Sequence, residues 1–308
     1  MYGQAMCHRI EINSKNGFPY QVIYLIGGTT GHVYNMDIWR MERPCNQPNS
    51  QWKATLLNKN GFENGRYRLE AILHGEKIFT FGGGAPDFCA EFNQVLVFNI
   101  SERKFEYCST NPDPVFGFPL GRKCHSLVQL DDNVYIIGGC KDIIEQQQQQ
   151  LNNTKQQLFN DIWSFNLNNL KWTKLLTNLP ISVYFHSATL TPDGCIYIFG
   201  GCVDEDPLSQ IRVNCLQRLW LKPPSLRYFA TKVLIKYQRR QFFKNNFNIR
   251  LNDSETIIST IFKASEEEEL INNGIAACKQ NQLNIEKNIP VAKANIFKGE
   301  NVAILLNF

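Results

Sequence analysis

Apolar runs that close on a pair of glycines recur along the chain, over residues 22–28, 77–83, 133–139 and 194–201, with the second glycine at 28, 83, 139 and 201. Each run continues or alternates β-forming side chains, Ile23-Tyr24-Leu25-Ile26 being typical, and so predicts a strand. After a loop comes a second, aromatic-rich strand, at residues 36–39, 94–98 and 161–165. A further element carries an aromatic, Trp52, Phe105 or Trp172, and another strand lies upstream of each double glycine, as at 125–130 and 186–190. The paired glycines allow positive φ and close approach where neighbouring sheets crowd together, and the aromatics fill the wedge between sheets.

Four strands per repeat is the make-up of one propeller blade. The pattern therefore predicts an all-β β-propeller arrangement over residues 1–222, with three full repeats and a partial fourth. The periodicity then changes. Pro223-Pro224-Ser225 punctuates the chain, Ser225 is a predicted N-cap, and Leu226, Phe229, Ala230, Val233, Leu234 and Tyr237 recur at i, i+3, i+4, i+7, i+8 and i+11. They form one apolar stripe on a helix, and by periodicity alone the stripe is a face packed on the side of the blades. A second helix is predicted to open at Ala264-Ser265 with acid in its first turn, where the helix dipole favours it. Residues 223–275 thus read as a helical tail and 276–308 as a divergent, poorly ordered end.

Composition narrows the function. With 43% hydrophobic and 19% charged residues, most of the chain can bury a core. The formal net charge is +4, and the densest basic stretch, residues 232–244, reads as a solvated helix face, so nucleic acid is not the expected partner. No apolar run reaches the roughly 18 residues of a membrane span, and the N-terminus lacks a signal layout. No membrane association and a cytoplasmic or nuclear location are the expectations. Ten cysteines at irregular spacing include no Cys-x-x-Cys pair; Cys124 and Cys195 fall in strand-like runs, as buried reduced thiols do. Glutamines at 146–150, with two more at Gln156 and Gln157, read as a disordered surface insertion.

Five histidines, at 8, 32, 74, 125 and 186, are scattered over different repeats, and no nucleophile, P-loop or paired metal motif is present. The expectation is a non-catalytic chain with no cofactor and no metal; a propeller oxidase or hydrolase would need a bound metal. What the chain offers is cationic and aromatic residues at the starts of inner strands. Alignment on the double glycines makes Arg66 and Arg122 equivalent, with Arg68, Lys123, Tyr184 and His186 close by. Read blandly these are surface charges and strand-end aromatics; read functionally they form a pocket for a peptide, the planar arginine fork suiting a carboxylate.

The repeat, with Tyr2-Gly3-Gln4-Ala5-Met6, Gly27-Gly28-Thr29-Thr30-Gly31, Gly117-Phe118-Pro119, Arg122-Lys123-Cys124-His125-Ser126 and Val183-Tyr184-Phe185-His186, resembles the kelch family, through the blades and on into residues 211–234. The resemblance implies a receptor subunit of cullin-2 RING ubiquitin ligases that captures protein C-termini, commonly ending in glycine. It also implies that Ser225-Leu226-x-x-x-Ala230-x-x-x-Leu234 is a BC box docking elongin C of the elongin B/C pair, with Phe229 and Val233 on the same stripe. Leu270, Ile271 and Ile275 would contact the cullin. The alternative is a kelch scaffold that binds a folded signalling or cytoskeletal partner, its helix packed on the blades. Because the resembling proteins carry six repeats, the chain reads as N-terminally incomplete, a truncated isoform or gene model; an open blade stack and a dimer that closes the ring are the other readings.

Overall fold

The computed structural model describes residues 2–12, 17–59, 64–144, 154–204 and 211–247. In the first repeat β1 (Ala5–Ile12), β2 (Pro19–Thr29), β3 (Tyr34–Pro44) and β4 (Lys53–Asn58) form one antiparallel sheet in chain order. The second repeat contributes β5 (Glu70–His74), β6 (Lys77–Phe81), a short hairpin of β7 (Gly84–Ala85) and β8 (Phe88–Cys89), then β9 (Gln94–Asn99) and β10 (Lys104–Ser109). Its main sheet runs β5-β6-β9-β10. The third has β11 (Ser126–Leu130), β12 (Asn133–Ile137), a hairpin of β13 (Cys140–Ile144) and β14 (Thr154–Leu158), then β15 (Ile162–Asn166) and β16 (Lys171–Lys174); β11-β12-β15-β16 make the sheet. The fourth is three-stranded among the described residues: β17 (Ser187–Leu190), β18 (Cys195–Phe199) and β19 (Leu216–Trp220). The first strands β1, β5, β11 and β17 touch one another in that order, so the sheets succeed one another as propeller blades with their first strands innermost.

Strand alternation sets the seams. In the first blade Ala5, Cys7, Val22, Tyr24, Ile26 and Ile38 share one face and pack with Leu69, Ala71, Ile78, Leu96 and Phe98 of the second. The next seam is aromatic: Phe79, Phe81 and Phe92 meet Trp163, Phe165 and Trp172 of the third blade. Trp172 lies 4.6 Å from Phe165 and 5.2 Å from Phe92, ring centre to ring centre, and its Nε1 donates to Phe92 O at 3.0 Å, so the wedge is filled and its one polar atom satisfied. Trp52 departs from the expected pattern. It precedes β4 and lies half-buried under the Arg43 guanidinium, 4.6 Å from the ring centre, and does not fill a seam.

The double glycines are where backbone meets backbone. All eight have positive φ. Gly28 N donates to Arg66 O at 2.7 Å, Gly83 N to Arg122 O at 2.9 Å and Gly139 N to Val183 O at 2.9 Å, so each seam carries the same bond. A Cβ on Gly82 would stand 2.4 Å from Arg122 O, closer than atoms can approach, which is why glycine recurs there.

The glutamine-rich stretch is only partly an insertion. Gln156 and Gln157 lie in β14, paired with Asp142 and Lys141 of β13, and Gln156 Nε2 donates to Asp142 Oδ1 at 3.1 Å. The expectation of disorder for these two fails because an antiparallel ladder satisfies their backbone whatever the side chain. Residues 146–150 lie outside the described residues.

Two units are distinguished: Met1–Thr191 with Ile196–Leu219, holding the blades, and Pro192–Cys195 with Trp220–Phe308. In the second, α1 (Leu226–Phe247) starts where predicted. Tyr228 N donates to Ser225 Oγ at 3.1 Å and Phe229 N to Ser225 O at 3.2 Å, a capped first turn. Along the stripe Leu226, Phe229, Ala230, Leu234 and Tyr237 are exposed and Val233 is half-buried. Leu270, Ile271 and Ile275 lie outside the described residues. Among the described residues no helix is long and apolar enough to cross a membrane.

Candidate functional site

Four repeat-equivalent residues, Gly3, Arg68, Cys124 and Phe185, take left-handed φ of 68°, 56°, 57° and 57°. They are joined blade to blade: Arg68 N donates to Gly3 O at 2.7 Å, Cys124 N to Arg68 O at 3.2 Å and Phe185 N to Cys124 O at 3.0 Å. A left-handed residue with a Cβ is strained, and here the inter-blade bonds over-determine it. The residue before each one, Tyr2, Tyr67, Lys123 or Tyr184, pairs with the residue after the double glycine, Thr29, Gly84, Cys140 or Cys202. All of these side chains therefore gather at the double-glycine end of the blades.

Of the residues expected to bind a ligand, Arg68 is the best placed. Its guanidinium stacks on the Phe185 ring at 4.4 Å, and Phe185 in turn lies 5.1 Å from Tyr184. Among the described residues no carboxylate forms an ion pair with Arg68, and its buried Nε has no hydrogen-bond partner. Arg66 is buried, 5.9 Å from the Phe88 ring, with Nη2 donating to Tyr107 Oη at 3.3 Å; burial lowers its pKa. Lys123 lies 5.5 Å from the Tyr67 ring and is paired with Asp142. Burial opposes its charge, but the Asp142 hydrogen bond outweighs that and its pKa rises. Beside it, hairpin residues 85–89, Lys123, Lys141 and Asp142 line a cavity of about 100 Å³. Tyr184 is buried at its rim position, and desolvation raises its hydroxyl pKa.

Two expectations are corrected. Arg122 has no exposed surface. It pairs with Asp161 at 2.6 and 3.3 Å, donates to the carbonyls of Leu120 and Gly138 at 3.1 Å each, and stacks on Phe159 at 4.1 Å. Burial alone would raise the Asp161 carboxyl; the bond and charge of Arg122, with Trp163 Nε1 at 2.7 Å, hold it below the usual range. Arg122 pins its own blade together and presents nothing to a ligand. His186 is in a seam, where a Cβ on Gly138 would come within 3.1 Å of its Cε1, and His125 holds the equivalent place against Gly82. The sequence reading also missed Phe185, Phe88 and Lys141. Phe185 was open to discovery, since aligning the repeats puts it with Gly3, Arg68 and Cys124 in a column that needs a left-handed residue.

A family model, the KLHDC2/KLHL20/DRC7 Kelch-repeats domain, matches residues 18–228. The chain belongs to the kelch-repeat family. Kelch domain-containing protein 10 of Homo sapiens is 33% identical over 235 residues, covering 76% of this kelch chain and 47% of that protein. Its Drosophila melanogaster homolog is 29% identical over 253 residues, 77% and 38% of the two chains. The Rho GTPase-activating protein gacHH of Dictyostelium discoideum is 31% identical over 166 residues, 50% of this chain and 10% of that one. The chain spans about half the length of the first of these relatives. Kelch propellers are generally protein-interaction scaffolds. Among the described residues of this one, no three His, Cys, Asp or Glu side chains are grouped to hold a metal.

The seam histidines give the kelch blades an acid response. Burial, with the Arg122 charge, pushes His125 down to about 3, and burial pushes His186 down to about 4. Both stay neutral in the fold while the unfolded chain takes protons near 6.5. Their stability contribution is whole above pH 6.5 and is lost as pH falls toward the folded values, about 5 kcal/mol for the pair by pH 4.5. Glu70, raised by burial to about 7, works the other way and returns about 3 kcal/mol between pH 7 and 4.5. Urea unfolding should therefore show a modest net loss of stability down to pH 4.5 and a steeper one below it. In Glu70→Gln the steep loss should begin at pH 6.5; a flat profile in that variant would show that the histidines are not held neutral.

Proposed function

We propose that this chain is a substrate-recognition subunit of a cullin-2 RING ubiquitin ligase, binding protein C-termini at the double-glycine end of its blades and elongin C through α1. The observation that carries the peptide half is Arg68: a guanidinium in a strained backbone position, stacked on Phe185 and without a carboxylate partner among the described residues. A terminal carboxylate is the ligand its planar fork fits, and a glycine end lets that carboxylate descend between the aromatic rings. Tyr184 supports Phe185. Arg122 and His186 have no part in the contact. The half that concerns elongin C rests on the resemblance and on the open stripe from Leu226 to Leu234, capped by Ser225.

A charge-assisted bond to the peptide carboxylate is worth about 1.5–3 kcal/mol. Arg68→Ala should then weaken a glycine-ended peptide about tenfold or more, and amidating the peptide should cost at least as much. Calorimetric titration of acid and amide peptides into both proteins decides it. Equal affinity for acid and amide would rule out C-terminal capture at this end. A second reading, a scaffold for a folded partner, is favoured by the exposed apolar Val115, Phe116 and Leu120 at and after the Asp113–Gly117 turn. It gains if neither peptide binds and a folded client does.

A further inference from the structure

Two hairpins leave the double-glycine end of the blades, β7–β8 from the second and β13–β14 from the third, and the cavity of about 100 Å³ lies between them. Residues 85–89 form one wall; Lys123, Lys141 and Asp142 form the other. The wall made by β13 is a strand edge. Cys140 N donates to Lys123 O at 2.9 Å and Lys123 N to Cys140 O at 2.8 Å, so the backbone of Cys140 points away from β14. Polar groups alternate along an antiparallel strand: Lys141 turns to Gln157 of β14, and Asp142 turns back to the Lys123 side. The pairing stops at Lys123 because the chain before it leaves β13, Gly121 N donating to Glu91 Oε2 at 3.0 Å. Among the described residues the N–H and C=O of Asp142 meet no partner.

The earlier blades dispose of this donor. Gly31, Pro86 and Asp142 stand at the same distance past their double glycines. Gly31 N donates to Thr29 Oγ1 at 3.0 Å, and Pro86 has no N–H, proline being a residue that blunts a strand edge against pairing. Asp142 keeps both its groups, which are half of a ladder rung. The walls also suit a backbone better than a charged side chain. Lys123 is paired with Asp142, and Lys141 with Glu91 at 2.7 Å, so both cations are engaged, while Ala85, Pro86 and Phe88 bring no charge from the other side. The edge is continuous with the Arg68 site. Lys123 Nζ lies 5.5 Å from the ring of Tyr67, the neighbour of Arg68, and Cys124 N donates to Arg68 O.

We propose that the peptide ligand is held as an added strand on β13: one residue upstream of its terminus donates its N–H to Asp142 O and accepts from Asp142 N. The inference rests on the reading of C-terminal capture above and adds how the segment before the terminus is recognised. Running toward Lys123, and so toward Arg68, the ligand is antiparallel to β13, along the line that residues 121–122 vacate. Strand addition draws affinity from main-chain bonds and leaves side-chain choice to the flanking walls. The substrate class is therefore an extended tail of varied sequence, with proline excluded at the paired residue because it has no N–H to give.

The probe is a short peptide of serine and alanine ending in glycine, titrated by calorimetry into the full chain as free acid, as amide, and as free acids methylated at one backbone nitrogen each. The acid should bind more tightly than the amide, and a single interior methylation should weaken the acid about tenfold while its neighbours stay near the parent. Asp142→Pro deletes the matching donor on the protein, in a strand where Lys141 already has the extended backbone that a following proline requires. It should bind the unmodified acid about tenfold more weakly than Asp142→Ala, which loses the same carboxylate but keeps the N–H. Circular dichroism checks that both fold; if Asp142→Pro does not, the methylated peptides decide alone. An acid preference with every methylated peptide near the parent overturns strand addition and leaves C-terminal capture standing. Equal affinity for acid and amide, or no binding by either, removes C-terminal capture and this proposal with it.

Discussion

Arg122→Ala is expected to lower the unfolding free energy by about 3–5 kcal/mol, the loss typical of breaking a buried ion pair from one side. The guanidinium is wholly buried, and its removal leaves Asp161, among the described residues, with Trp163 Nε1 as its one remaining side-chain hydrogen-bond donor and opens a void against Phe159. The Leu120 and Gly138 carbonyls lose a donor as well. Because the Asp161 carboxyl is held below its usual range, the pair is intact above the ordinary aspartate pKa and its contribution fades as pH falls through the folded value. The deficit should therefore be full at pH 7 and shrink in strong acid. Urea unfolding of wild type and variant at pH 7 measures it. The same variant separates structure from binding: if it unfolds at wild-type urea concentration yet loses the glycine-ended peptide, Arg122 faces the ligand and the site has been misassigned.

Leu226→Ala should abolish capture of elongin B and C, weakening a purified complex by about 2–4 kcal/mol, roughly 30-fold to 1,000-fold, as expected for an apolar anchor at an interface. Leu226 is 87% exposed in the first turn of α1, so its truncation removes little buried area from the folded chain. Melting temperature should stay at the wild-type value while the pull-down is lost. Near wild-type affinity for elongin C would show that the open stripe serves something else, and the ligase reading would then rest on the peptide site alone.

Much of the fold is legible in the chain because it depends on local rules that repeat. A double glycine is required wherever a strand end meets the carbonyl of the next blade, and the requirement recurs at Arg66, Arg122 and Val183, so it leaves a periodic mark. Ser225 announces α1 for the same reason, since a cap concerns only the next three residues. The column of Gly3, Arg68, Cys124 and Phe185 was there to be read as well, but four different residue types hid one backbone conformation.

Arg66 and Arg122 mark where sequence runs out. Alignment makes them equivalent, and their carbonyls do accept the same inter-blade bond. Their side chains part company because the environment is set by residues far along the chain: Asp161, 39 positions on, claims Arg122, whereas Arg66 meets Tyr107, 41 positions on, and Phe88. Periodicity reports a backbone position and is silent on which distant carboxylate folds over it. Sequence by itself determined the blades, their glycine hinges and the helix that follows them, since these obey short-range geometry. Only the tertiary structure decided that Arg122 and His186 are internal, that Gln156 belongs to a strand, and that Arg68 stacks on Phe185 with no carboxylate partner among the described residues, because burial and ion pairing are settled by what packs opposite.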